Sequence, residues 1–177
     1  LFHGMHDVSY LTSSTLGELA SQYEAYTQVS QLFVDEVGKI YEEGDVVLVL
    51  DYELMLLPAL LRRRFPLITL GFFLHTPFPS SEIYRMLPTR EELLQGILGA
   101  DLISFNHFDY VQHFLNSCKR VLGLESAPSR VEYGGRLVSI SICPIGIDAH
   151  AYTLSPAALK EAARIQSRSR HRRRADQ

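Results

Sequence analysis

Three observations predict a mixed α/β domain, a parallel sheet with flanking helices. Three short runs, VVLVL at 46–50, ITLGFFL at 68–74 and DLISF at 101–105, are dominated by apolar residues, as strands covered on both faces are. Segments with helical spacing lie between them. Near the C-terminal end, two alternating runs meet at Gly134-Gly135, which signals a hairpin. Strand, helix, strand, helix, strand and helix in that order call for adjacent parallel strands joined by right-handed crossovers.

Thr15 precedes a long amphipathic helix in which Leu16, Leu19, Tyr23, Tyr26, Val29, Phe33, Val37 and Ile40 mark one apolar face, with Gly44 ending it. After the first strand, LMLLPALLRRRF reads as a helix closed by three arginines, whose charge suits a helix C-terminus. Pro58 should kink that helix or mark its first turn. Beyond the second strand, Thr89 and Glu92 have the spacing of a capping box ahead of LLQGILG. The third strand leads into FDYVQHFLNSCKRVLG, with Gly123 placed to cap that helix. Residues 1–154 are read as one domain, followed by a segment, 155–177, whose run RIQSRSRHRRRADQ lacks apolar periodicity and predicts a basic, disordered tail.

The 177 residues, 46% of them hydrophobic, are enough for one core. No run of about 18 apolar residues appears, and LFHGMHDVSY is not built like a secretory signal, so a cytoplasmic protein without membrane attachment is expected. Cys118 and Cys143 lack metal-ligand spacing and suggest buried, inert thiols. The net charge of −3 is uneven, with 10 basic and 18 acidic residues over 1–159 and 7 basic and 2 acidic residues over 160–177. A basic end without interleaved aromatics is weak support for nucleic-acid binding, and no such partner is expected.

In an open parallel sheet, ligands bind beyond the carboxyl ends of the strands. Three loops begin there, at Asp51, at His75 and at Asn106-His107. The run His75-Thr76-Pro77-Phe78-Pro79 forces an abrupt, stiff corner, because proline fixes its own φ and keeps the preceding residue extended. Each candidate also has a plainer role. Asp51 could cap the next helix, His75 could only pack at its corner, His107 and His113 fit a surface or core position, and Arg62, Arg63 and Arg64 could bind phosphate or form a solvated helix end.

The segments DYELMLLPALLRRRFP, GFFLHTPFPSSEIYRMLPTREELLQGILGADLISFNHFDYVQHFLNSCKRVLGLE and SICPIGID closely resemble the N-terminal domain of the trehalose-6-phosphate synthase family over roughly residues 1–152. The resemblance implies a Rossmann-like domain, the N-terminal half of a retaining GT-B glycosyltransferase. Such an enzyme transfers glucose from UDP-glucose to glucose 6-phosphate in trehalose biosynthesis, with no metal and no separate cofactor. It implies that Asp51 binds the acceptor sugar, that the catalytic His75 contacts the donor glucose near the reacting carbon, and that Tyr23 stands where the family has an acceptor-site tryptophan. The glycine-rich loop and the second domain of the family have no counterpart in the segments quoted, so this fragment alone is expected to be inactive.

Departures from the family cluster around Asp51. The family's His-Asp-Tyr-His-Leu is here Leu50-Asp51-Tyr52-Glu53-Leu54, and a tyrosine that follows Leu-Phe-His is here Gly4. Glu53 adds negative charge where a sugar phosphate would sit. Two functional readings therefore stand: part of an active synthase, or a catalytically silent homologue that senses sugar phosphates or serves as a regulatory subunit beside an active, homologous partner.

Overall fold

The computed structural model describes residues 13–148. By its contacts the chain divides after Pro144, and the elements below all belong to the part that ends there. Gly4 and the basic tail lie outside the described residues.

The order is α1 (Ser13–Ile40), β1 (Val46–Leu50), a single 3-10 turn (Tyr52–Leu54), α2 (Leu57–Arg64), β2 (Thr69–Leu74), α3 (Ser81–Tyr84), α4 (Arg90–Ile97), β3 (Leu102–Phe105), α5 (Phe108–Leu122), β4 (Ser126–Ala127), β5 (Arg130–Tyr133) and β6 (Arg136–Ile142). The strands form one sheet in the order β1-β2-β3-β6-β5-β4. The three predicted strands are adjacent and parallel, with Leu50 beside Phe73 and Leu74 beside Phe105. β6 continues the parallel set beyond β3. β5 returns antiparallel through Gly134 and Gly135, whose φ values of 59° and 72° are positive, as the two central residues of a tight hairpin turn require. The short β4 pairs with β5 and is a strand the sequence pattern did not show.

One face of the sheet presents Val49, Leu70, Phe72, Leu74, Ile103, Phe105, Val138 and Ile140, all buried in a single core with Leu57, Leu61, Leu93, Ile97 and Phe114 of the helices. The opposite face is different. Val46, Leu48 and Leu50 are 73%, 62% and 45% exposed, so β1 is an edge strand open on one face within the described residues, not a strand covered on both. Leu102 and Leu137 are exposed as well.

The helices also differ from expectation in detail. On α1, Val29, Phe33 and Ile40 are exposed, and the inward stripe is Tyr23, Tyr26, Ser30, Val34 and Val37. Ser30 fits the core because its hydroxyl donates to the Tyr26 carbonyl at 2.9 Å, satisfying its polar group within the helix. α1 stops at Ile40, before Gly44. α2 begins at Leu57 with Pro58 in its first turn and its three arginines in its last. Thr89 stands at the N-cap of α4 but makes no side-chain cap hydrogen bond, so the capping box is absent. Gly123 ends α5 in the left-handed conformation.

α2 and α4 pack with their backbones nearly touching. A Cβ on Gly99 would lie 2.4 Å from the Ala59 nitrogen, and one on Gly96 would lie 2.4 Å from the Met55 oxygen. These two glycines set the position of the chain that follows the first strand.

The three arginines of α2 have separate fates. Arg62 does not form a solvated helix end: it donates to Asp101 at 2.6 Å and to the carbonyls of Gly99, Pro66 and Ile68. Asp101 also receives Arg136 and the Leu70 amide, and so ties α2, β2 and β6 together at the end of the sheet remote from the strands' carboxyl ends. Arg64 pairs with Asp35 of α1, and Arg63 is exposed.

Candidate functional site

β1, β2 and β3 are adjacent and parallel, so the residues that follow them, Asp51, His75 and Asn106, emerge side by side at one edge of the sheet. Asp51 has φ 65° and ψ 175°, and it is the one non-glycine residue with positive φ among the described residues. Only glycine enters that region freely, and another residue held there costs about 1–3 kcal/mol. Surrounding bonds hold it in place. Its amide donates to the Phe73 carbonyl at 2.8 Å, and its carboxylate Oδ1 accepts from the Tyr52 amide at 3.0 Å and from the Thr76 amide and hydroxyl at 3.4 and 3.3 Å.

Asp51 is therefore a cap, but of the 3-10 turn and not of the helix α2, whose N-cap is Leu56. It is also a bridge between the first and second loops. All three bonds fall on Oδ1, which leaves Oδ2 without a hydrogen-bond partner among the described residues.

His75 is exposed, with its ring edge-on to Phe73 at 4.5 Å between centroids. Its backbone carbonyl receives the Asn106 side-chain amide at 2.8 Å. The loop behind it is anchored by Phe78, which is 1% exposed and stacks on Tyr84 at 5.0 Å while meeting Phe114 edge-on. The two prolines stiffen the corner and the buried ring between them fixes where it sits.

His107 proves to be the N-cap of α5. Its Nδ1 accepts from the Asp109 amide at 3.3 Å and its ring is exposed, so a surface role suffices. His113 is half-buried on α5.

Tyr23 lies on α1 near the same turn. Tyr26, one helical turn away, donates to the Tyr52 carbonyl at 3.4 Å, and the Tyr23 and Tyr26 rings lie 6.4 Å apart. Burial pushes the Tyr26 hydroxyl up to about 12. The Tyr23 hydroxyl is also raised, by burial and then by the Glu92 carboxylate. Tyr23 lines a groove of about 450 Å³ between α1, α2, α4 and the hairpin, together with Leu60, Arg63, Glu92 and Tyr133. No hydrogen bond joins Tyr23 to Asp51 or His75.

Of the residues that depart from the family pattern, Leu50 ends β1 and Glu53 lies exposed in the 3-10 turn. A hydrogen bond with Glu53 raises the pKa of the Tyr52 phenol. The thiols do not join the site. Cys118 is buried, which pushes its pKa up to about 12, and Cys143 is exposed. No group of metal-ligating side chains occurs among the described residues, and none of their helices is long and apolar enough to cross a membrane.

A helix-flanked parallel sheet, with an acid and an imidazole just past its strands' carboxyl ends, makes this a Rossmann-like α/β domain. The model of Glycosyltransferase family 20 matches residues 2–172, and the chain belongs to that family. It is 49% identical over 139 residues to alpha,alpha-trehalose-phosphate synthase [UDP-forming] 1 of Arabidopsis thaliana, an alignment covering 78% of this chain and 15% of that protein. Among solved structures, it superposes with a TM-score of 0.73 and 37% identity on the N-terminal domain of Candida albicans trehalose-6-phosphate phosphatase, over 84% of this chain and 33% of that one. An alpha,alpha-trehalose-phosphate synthase (UDP-forming) from Burkholderia xenovorans in complex with glucose-6-phosphate gives a TM-score of 0.67 at 26% identity, over 73% and 30% of the respective chains. The chain thus spans about a third or less of each of these relatives.

Proposed function

We propose that this chain is the acceptor-side part of a trehalose-phosphate synthase, in which glucose passes from UDP-glucose to glucose 6-phosphate and UDP is released. The observation that carries the proposal is the strained Asp51, one oxygen fixed to its own turn and to the loop of His75 and the other without a hydrogen-bond partner among the described residues. The synthases among its relatives, one of them in complex with glucose-6-phosphate, support the same reading.

In this reading Oδ2 of Asp51 accepts hydroxyl protons of the acceptor sugar. A hydrogen bond to a charged group contributes about 1.5–3 kcal/mol, roughly ten- to hundredfold in affinity. His75 donates to an oxygen of the donor glucose and holds the developing positive charge in register. Tyr23 provides an aromatic wall on the acceptor side. The second GT-B domain would hold UDP-glucose across the cleft, and a homologous subunit is a further potential partner. The chemistry asks for neither metal nor separate cofactor. A cytoplasmic location belongs to this reading and accords with cysteines that are free, as in reducing compartments.

The test is a coupled UDP-release assay with UDP-glucose and glucose 6-phosphate. The chain alone should give background rates, because holding donor and acceptor together is worth about 7–11 kcal/mol of the barrier. Exchanged for the matching segment of an active relative, it should give weak turnover, raised about tenfold, one hydrogen bond's worth, by Leu50→His with Glu53→His. Robust turnover by the chain alone, or a chimera indifferent to the double substitution, would overturn the assignment.

A further inference from the structure

His75 is held by a third residue at the strand ends, Asn106, to which the family resemblance assigned no role. Asn106 follows β3 directly, and its side-chain Nδ2 donates to the His75 carbonyl at 2.8 Å across the gap between the second and third loops. On the other side, Thr76 is held by Asp51. The His75-Thr76 peptide is thus gripped from both neighbouring strands. Phe73 then supports the His75 ring edge-on.

The other end of the Asn106 amide is informative. Oδ1 is buried and has no hydrogen-bond partner among the described residues, a costly arrangement that native structures keep rare. Turning the amide over would not relieve it, because the oxygen would then face the His75 carbonyl, acceptor against acceptor. The side chain gives up one satisfied atom and keeps the grip on His75.

We propose that Asn106 is a positioning residue for His75: by fixing the His75 carbonyl it sets the direction in which the imidazole leaves the sheet edge. This rests on the functional reading above only for its consequence in binding, since the grip itself is a property of the free chain.

Asn106→Asp keeps the shape and removes the donor, setting a carboxylate against the carbonyl. The first measurement is the imidazole carbon-bound proton resonances of the full chain without ligand. In the parent, the His75 signals should carry the ring-current shift of Phe73. In Asn106→Asp they should move toward the positions of a free imidazole, while those of His107 and His113 stay in place. Asn106→Ala should give the same pattern and serves if the aspartate variant fails to fold. Unchanged His75 signals would overturn the proposal, and so would equal movement of all three histidines, which would make Asn106 a general structural support.

The second measurement is UDP release by the chimera described above, expected to fall about tenfold in Asn106→Asp, the worth of one hydrogen bond from His75 to the donor glucose. A parent chimera that releases no UDP, with His75 signals that still move in the variant, would sink the functional reading and uphold the positioning role.

Discussion

Asp51→Gly should abolish glucose 6-phosphate binding while leaving a chain more stable than Asp51→Ala. At most positions the order is the reverse, because glycine loses more backbone entropy on folding and costs about 0.5–1 kcal/mol relative to alanine. At φ 65° and ψ 175° alanine keeps about 1–3 kcal/mol of strain that glycine relieves. Both variants lose the bonds from Tyr52 and Thr76 to the carboxylate, so the difference between them isolates the backbone. Each kcal/mol corresponds to about 2–4 °C in Tm for a chain of this size. Thermal melts of the two variants decide the point. An alanine variant that melts above the glycine variant would show that Asp51 is not strained, and undiminished binding by either would remove it from the site.

Gly99→Ala should be the more damaging change to the fold. The new methyl would meet the backbone of Pro58 and Ala59 at 2.4 to 2.6 Å, and backbone cannot rotate away as a side-chain tip can. Separating α2 from α4 should cost about 1–3 kcal/mol or more, as overpacking does. Gly17→Ala is the control, because no atom lies within 4 Å of that added carbon. Inside exposed α1 it should stabilise by up to about 1 kcal/mol. Denaturant unfolding of the two variants should therefore give opposite signs, and equal effects would contradict the close approach of the helices.

The parallel order of the first three strands was legible because each apolar run is short, bounded and separated from the next by a helical segment. The place of Asp51 and His75 followed, since parallel strands put their following residues on one edge. Coverage was not legible: VVLVL at 46–50 reads as doubly buried, yet Val46, Leu48 and Leu50 are exposed, because what lies against a strand is decided by chain elsewhere. The inward stripe of α1 was misplaced for a similar reason. Ser30 looks like a surface residue until its hydroxyl is seen to bond its own helix. Arg62 finds Asp101 39 positions away, a partnership with no local signal. Thr76, Phe78 and Asn106 were visible only as parts of a corner and a loop start. Their bonds to Asp51, Tyr84 and His75 depend on how three strands come together.

The most direct test of the edge formed by Asp51, His75 and Asn106 as a sugar-phosphate site is an amide NMR titration of the chain with glucose 6-phosphate, with inorganic phosphate in parallel. Saturable shifts should centre on the amides of Tyr52, His75, Thr76 and Asn106, appear with the sugar phosphate and not with phosphate alone, and vanish in Asp51→Gly. Shifts confined to Leu60, Arg63 and Tyr133, or reproduced by phosphate alone, would contradict the assignment and move the ligand away from the strand ends.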